Sequence, residues 1–272
     1  SYQLFEENNK DLGRDNQIYN ALNRALFEGK NYKSGFYKHN VGLKKLEKSA
    51  TRNVFALLDN ANTVTLLTEK SNRIVPMQTK TFSNVNDVAF SGNGDLLVLL
   101  TTGELQVYNA TNFSSVSNEF IYETKINSIQ SFTSAGIDYV LTSENPNGHL
   151  INLATREVVD SSELMSLNAS KNIMSKDGKY LASYQNNEIL LYSVSISSSK
   201  LSLEAMDTLG SSKGISVLKF LNSSFIATGT TRGVVNVYQI SGAKNIAFVT
   251  KITRHKNVKI SDIEIYQDAE ET

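Results

Sequence analysis

Three histidines, His39, His149 and His255, are the only imidazoles in the chain, and each stands far from the others. None has a second histidine or a carboxylate at the spacing that sets two ligands on one helix face, so no zinc motif can be drawn. Cysteine is absent, which removes disulfides and thiolate metal sites. Gly92 and Gly94 superficially suggest a phosphate-cradling loop. No third glycine follows and no helix pattern opens behind them, so they read as turn residues. No Gly-x-Ser-x-Gly elbow occurs, and the carboxylates are scattered through loops without a recognisable acid–base pair. His149 follows a turn glycine and is expected to begin a strand; His255 is expected in a loop. The expectation is a chain that is not an enzyme and takes no cofactor or metal.

Binding residues are easier to nominate than catalytic ones. From Lys30 to Arg52 seven Lys/Arg face Glu47 alone, interleaved with Tyr32, Phe36 and Tyr37. Such a run can contact phosphates and stack on bases, with Lys33, Phe36, Tyr37, Lys44 and Lys45 as carriers. It reads more readily as a solvated linker whose aromatics cover the adjoining core, because the formal net charge is zero and nucleic-acid-binding domains are basic as a whole. Upstream, Asp15 is a helix N-cap, Ile18, Leu22, Ala25 and Leu26 share one helical face, and Gly29 sits at the C′ position. That predicts an amphipathic helix over about 15–28 whose apolar face packs on the body of the protein or docks in a partner's groove. Charge is also segregated at the far end. Residues 244–259 carry five bases and no acid, and 262–272 carry five acids and no base.

Whatever positions these residues is a repeat. Short runs ending in a large residue recur at Phe90, Phe132, Met174, Phe220 and Tyr266, spaced 42, 42, 46 and 46 residues apart. A second landmark recurs in phase, ending at Leu67, Tyr108, Leu153, Tyr192 and Tyr238 with spacings of 41, 45, 39 and 46. Both have the alternating or continuous apolar pattern of strands. Between them lie hairpins near 53–68, 95–108, 138–153, 180–192 and 224–239, several closed by glycine. Each unit therefore reads as four strands, and a period of about 40–45 residues is that of a propeller blade.

These segments resemble WD40 repeats. Ser-Gly-Asn-Gly-Asp (91–95) and Ser-Lys-Asp-Gly-Lys (175–179) are similar to the family's Ser-Pro-Asp-Gly-Lys turn, and Tyr108, Tyr192 and Tyr238 fall where it places tryptophan. Asp87 and Asp262 match its first-strand aspartate. Every Trp is missing, and no complete His–Ser/Thr–Trp–Asp network can be assembled. The resemblance implies an all-β, WD40-like β-propeller over 41–272, preceded by a helical arm over 1–40. Five blades can be drawn and a sixth begins at 260–266, so a complete ring would have six or seven. Closure by chain beyond residue 272, by pieces of the protein missing from this sequence, or by strands from a partner subunit are the alternatives.

The function this implies is a non-catalytic interaction scaffold, a subunit of a multiprotein complex whose partners are other protein subunits, with Ile18, Leu22 and Leu26 of the arm as a further contact. Alternatives are a small-GTPase regulator of the Sec12-like propeller type, or a nucleic-acid-associated subunit using 30–52. No stretch approaches the ~18 apolar residues of a membrane span, and the expected location is intracellular, in cytoplasm or nucleus.

Overall fold

The computed structural model describes residues 41–263 except 71–72, 122–125, 144–147, 168, 170, 187, 198–199, 212–213, 242–245, 254–257 and 261. The expected helix at 15–28 lies outside the described residues. Among the described residues, twenty strands form five four-stranded antiparallel sheets, each built from strands consecutive in sequence. Blade one holds β1 (Leu43–Lys48), β2 (Val54–Asp59), β3 (Thr63–Lys70) and β4 (Arg73–Thr81). Blade two holds β5 (Val85–Phe90), β6 (Leu96–Leu100), β7 (Glu104–Tyr108) and β8 (Ser115–Ile121). Blade three holds β9 (Ser128–Ser134), β10 (Ile137–Ser143), β11 (Leu150–Asn152) and β12 (Val158–Val159). Blade four holds β13 (Lys171–Met174), β14 (Tyr180–Gln185), β15 (Glu188–Ser197) and β16 (Lys200–Ser211). Blade five holds β17 (Ile215–Asn222), β18 (Phe225–Thr230), β19 (Val235–Ile240) and β20 (Ile246–Ile252).

Alternation explains how the blades stack. Side chains on a strand point to opposite faces in turn, and a sheet wedged between two others needs both faces apolar. Leu96 and Val98 of β6 join Ala56, Leu58 and Leu66 in the layer shared with blade one. Their neighbours Leu97 and Leu99 join Val140 and Ile151 in the layer shared with blade three. The all-leucine-and-valine run of β6 is thus a central strand buried on both sides. Phe132 and Leu141 meet Met174 and Leu181 in the next layer, and Ala182 and Leu191 meet Leu218 and Ile226 in the one after.

The turns between first and second strands also join neighbouring blades. In the 91–95 turn, Gly94 adopts φ 80° and donates to Ser91 O at 2.9 Å, while the Asp95 carboxylate meets Arg52 Nη2 of blade one at 3.3 Å. On its other side, Asn93 N donates to Asp138 Oδ2 of blade three at 3.1 Å. Gly178 repeats this turn with φ 68°, and Thr133 N of blade three donates to Lys176 O within it at 3.0 Å.

One element has no counterpart in the sequence reading. A short helix, α1 (Ser162–Ser166), fills the connection from β12 to β13. It buries Leu164 in the layer between blades three and four, and its Glu163 accepts from Leu203 N at 2.6 Å. Five residues carry too little periodicity to be read as helical.

Tyr108, Tyr192 and Tyr238 lie on the third strands, paired with Leu96, Leu181 and Ile226 of the second. Their rings serve packing: Tyr108 stands edge-on to Phe82 and Phe113 with centroids 5.4 and 6.3 Å away. Two residues past the tyrosine's partner, Ser183 and Thr228 take equivalent places on β14 and β18, wholly buried. Neither hydroxyl has a hydrogen-bond partner among the described residues. An unsatisfied buried hydroxyl is destabilising. Ser183→Ala and Thr228→Val are each expected to raise unfolding free energy by about 1 kcal/mol. Urea denaturation reads this out, and a loss of stability on both substitutions would contradict it.

Candidate functional site

The first strands β1, β5, β9, β13 and β17 follow one another around a central channel, each packed on the next. Four of them carry charged side chains, Lys45 and Glu47 on β1, Asp87 on β5, Lys171 on β13 and Lys219 on β17, whereas β9 carries none. Asp87 on β5 is the hub. Its Oδ1 accepts from Lys45 Nζ of β1 at 2.8 Å and from Val88 N at 2.8 Å, and its Oδ2 accepts from Ile129 N of β9 at 2.9 Å. One carboxylate therefore ties three blades together. Lys45 Nζ donates further to Val88 O at 2.8 Å and stands 3.8 Å from Glu47.

Across the channel Lys219 of β17 meets Asp262 at 3.2 Å. Asp262 belongs to residues 258–263, which lie on the flank of blade five away from blade four. Ile260 N donates to Thr230 O at 3.1 Å, Ser216 Oγ donates to Ile260 O at 2.7 Å, and Ile260 packs with Val217 and Val235. The Ser216–Ile260 bond repeats the one from Asn86 Nδ2 of blade two to Ile126 O of the segment entering blade three, at 2.7 Å. Ile260 thus takes on blade five the place that Ile126 takes on blade two. Among the described residues, blade five and blade one do not pack on one another as the other neighbours do.

Electrostatics in the channel are unbalanced. Burial, the largest influence on Lys45, would lower its pKa, but the carboxylates of Asp87 and Glu47 outweigh it and hold the ammonium above its ordinary value. Loss of hydration pushes the Glu47 carboxyl up, and Asp87 adds to this, against attraction from Lys45, Lys219 and Lys176. Lys171 of β13 is pushed down by burial, with Lys219 repelling it and Asp262 only partly compensating.

The Glu47 shift has a pH consequence. A raised folded pKa means that the native state binds more protons than the unfolded chain above the ordinary value of 4.5, so stability falls as pH rises through that window. Glu47→Gln is expected to remove this fall: relative to the parent, the variant gains stability from pH 4.5 up to the raised folded-state pKa and keeps that gain, without further increase, above it. Urea midpoints at a series of pH values test this, and parallel curves for both proteins would refute it.

Many solved structures are similar to this fold. One is the beta-propeller domain of Myceliophteria thermophila Cps50 (Swd1), 11% identical, with TM-score 0.53, covering 80% of this chain and 88% of that one. Another is U3-55K, 13% identical, with TM-score 0.58, covering 84% of this chain and 71% of that one. The fold is a WD40-like β-propeller. No family model matches the chain, and no curated protein sequence matches it closely enough to show kinship.

On this propeller the nominated binding residues part company. Ile18, Leu22, Leu26, Lys33, Phe36 and Tyr37 lie outside the described residues. Lys44 and Lys45 are adjacent on β1. Lys44 Nζ donates to Asn62 Oδ1 at 2.8 Å, whereas Lys45 points into the channel toward Asp87. The Lys45–Asp87 and Lys219–Asp262 pairs were not foreseen, although their separations of 42 and 43 residues match the repeat. A search for opposite charges one period apart on first strands would have found them. Among the described residues, no three His, Asp or Glu side chains gather at metal-binding distances, and no helix is long and apolar enough to cross a membrane.

A second surface lies on the circumference. Outermost strand β20, Ile-Ala-Phe-Val-Thr-Lys-Ile, exposes Phe248, Val249 and Ile252 at 58%, 48% and 41%. Outer strands usually blunt their free edge with Pro or Lys, and β4 does so with Pro76 and Lys80. Lys251 is the single charge on β20.

Proposed function

We propose that this propeller is a non-catalytic protein-interaction scaffold within a multiprotein complex in the cytoplasm or nucleus, with other protein subunits as its partners. The observation that carries this reading is the apolar outer strand β20, whose Phe248, Val249 and Ile252 face solvent. An exposed, β-prone apolar edge is what protein partners cover, by side-chain packing or by adding a strand. The rigid blades beneath hold that edge in place while loops vary around it. The arm over 1–40, through Ile18, Leu22 and Leu26, serves as a further contact in this reading. Nucleic-acid binding through 30–52 is less well supported, because Lys45 is committed to Asp87 and Val88 O.

The test is co-purification of the full-length protein with its partners, compared with a Phe248→Asp/Val249→Asp variant. Both side chains are about half in water, and the main packing lost is the edge-on contact of Phe248 with Tyr238, centroids 5.7 Å apart, worth about 0.5–1.5 kcal/mol, so melting should stay close to the parent's. Loss of co-purifying subunits at unchanged melting supports the scaffold reading; an identical set of partners removes β20 as the docking edge.

A further inference from the structure

Where the outer parts of blades one and two meet, three aromatic rings hold a cation. Phe82, which follows β4, Tyr108, which ends β7, and Phe113, in the turn from β7 to β8, stand edge to face with one another. Their centroids are 5.4 to 6.3 Å apart and their planes cross at 61° to 72°, so the rings form a corner of steeply inclined walls. Two of the ring faces are covered by an ammonium. Lys80 Nζ of β4 lies 4.1 Å from the Tyr108 centroid and 5.0 Å from that of Phe82. Both distances are inside the ~6 Å over which a ring quadrupole attracts a cation. Among the described residues no carboxylate comes within ion-pair distance of Lys80, so the ring faces are its counter-groups there.

The backbone and its polar partners fix each wall. Phe82 N donates to Asn62 O at 3.1 Å. Phe113 sits at φ 53°, a left-handed conformation that is costly for a bulky side chain. The turn imposes it, with Phe113 N donating to Asn109 O at 3.0 Å and Ser114 N to Asn112 Oδ1 at 2.9 Å. Tyr108 is oriented by its hydroxyl, which donates to Gln106 Oε1 at 2.5 Å, and Gln106 Nε2 donates in turn to the Glu104 carboxylate. That relay ends on a negative charge, which favours a cation near the phenol and repels a phosphate. Tyr108 and Phe113 are buried, whereas Lys80 and Phe82 are only partly so. The open side of the corner is therefore the one that the lysine stem crosses, and that stem is flexible.

We propose that this corner is a binding site for a methylated lysine side chain of a partner protein, with Lys80 as its resident until the partner displaces it. An unmodified ammonium is compact and strongly hydrated, so lying on a ring face costs it water. A trimethylammonium holds water weakly and lays its methyl groups on the ring faces, which is the ligand chemistry such faces favour. Lys80 competes from a short tether, at an effective concentration in the millimolar range. Removing its ammonium therefore tightens the site for an incoming cation. The corner belongs to blades one and two and the β20 edge to blade five, so either can fail without the other.

Saturation-transfer NMR titration of the full chain with choline tests the site, with neohexanol as the uncharged molecule of the same shape. Lys80→Ala is expected to tighten choline binding about tenfold over the parent, with neohexanol about tenfold weaker than choline on that variant. Adding Phe82→Leu keeps apolar volume but removes a ring face, and should abolish the gain. No gain in Lys80→Ala would leave the rings a packing cluster and overturn the proposal. Equal binding of choline and neohexanol, or a gain that survives Phe82→Leu, also sinks it. The Lys80→Ala comparison decides the matter by itself where Phe82→Leu does not fold. A short Gly/Ala peptide centred on trimethyl-lysine and phosphocholine separate a protein from a lipid source. The peptide is expected to bind Lys80→Ala more tightly, and tighter binding of phosphocholine would overturn the assignment to a protein partner.

Discussion

Asp87→Ala is expected to lower the unfolding free energy by about 3 kcal/mol, the largest loss from any single polar substitution in the channel. The reason is the number of groups it orphans. The residue is 6% exposed, and its two oxygens serve Lys45 Nζ, Val88 N and Ile129 N. Removing them leaves a buried amide at Ile129, itself 5% exposed, without its acceptor; an unsatisfied buried donor costs about 1–3 kcal/mol. It also leaves Lys45 with the Val88 carbonyl and the more distant Glu47 carboxylate at 3.8 Å. The Lys45 side chain is 30% exposed and can partly rehydrate, which keeps the loss below the upper end for a broken buried pair. Asp262→Ala gives the contrast. Its side chain is 65% exposed, and an ion pair of that kind is worth under about 1 kcal/mol. Urea denaturation of both variants checks the ranking, and a Lys45→Met/Asp87→Asn double-mutant cycle isolates the pair itself. Equal losses at Asp87 and Asp262 would contradict the account.

The difference between these two aspartates marks where sequence reading stops. Both were visible as first-strand acids preceding an apolar residue, and the repeat placed them at equivalent positions. What separates them is burial by neighbouring blades, a property of tertiary packing that local spacing does not encode. The blades themselves were legible because each strand repeats a binary pattern. Leu96 to Leu100 must be buried on both faces, and the in-phase tyrosines fix the third strands. All five hairpins fall where the pattern puts them. The channel lysines were less legible. Lys171 and Lys219 appear in sequence as ordinary solvated charges, and only the convergence of first strands brings them together. Helix α1 escaped for a related reason, since what holds it is Leu164 packing and the Glu163–Leu203 bond across 40 residues. The outward Phe248 and Val249 of β20 had no counterpart in the sequence reading, because alternation cannot tell an outermost strand from an inner one.

Gly229→Ala is expected to release residues 258–263 from blade five while leaving the five blades intact. A Cβ at Gly229 would stand 2.6 Å from Ile260 Cγ2 and 2.8 Å from Ile260 Cβ, with Ile263 Cδ1 at 3.3 Å. Carbons do not approach that closely, and Ile260 has no soft way to yield. Its Cβ is fixed to the backbone and its branched side chain is stiff at χ1, so the segment must move as a unit. The move gives up Ile260 burial together with the bonds to Thr230 O and from Ser216 Oγ. Burial of one Ile side chain is worth about 1.5–3 kcal/mol, so a local opening penalty reduced by about 2 kcal/mol is expected. On β18 itself alanine is the better strand residue, since glycine costs roughly 0.5–1 kcal/mol in a strand interior. The two effects therefore separate. Amide exchange at Ile260 and Ile263 should speed up by about thirtyfold, while exchange in β6, β10 and β14 and the global melting point hold. Ile260→Ala should loosen the same segment, and combining the two should add little, because both act on one contact. Uniform acceleration across all blades would mean that the segment is part of the cooperative core. Unchanged exchange at 258–263 would mean that it does not rest on Gly229 at all.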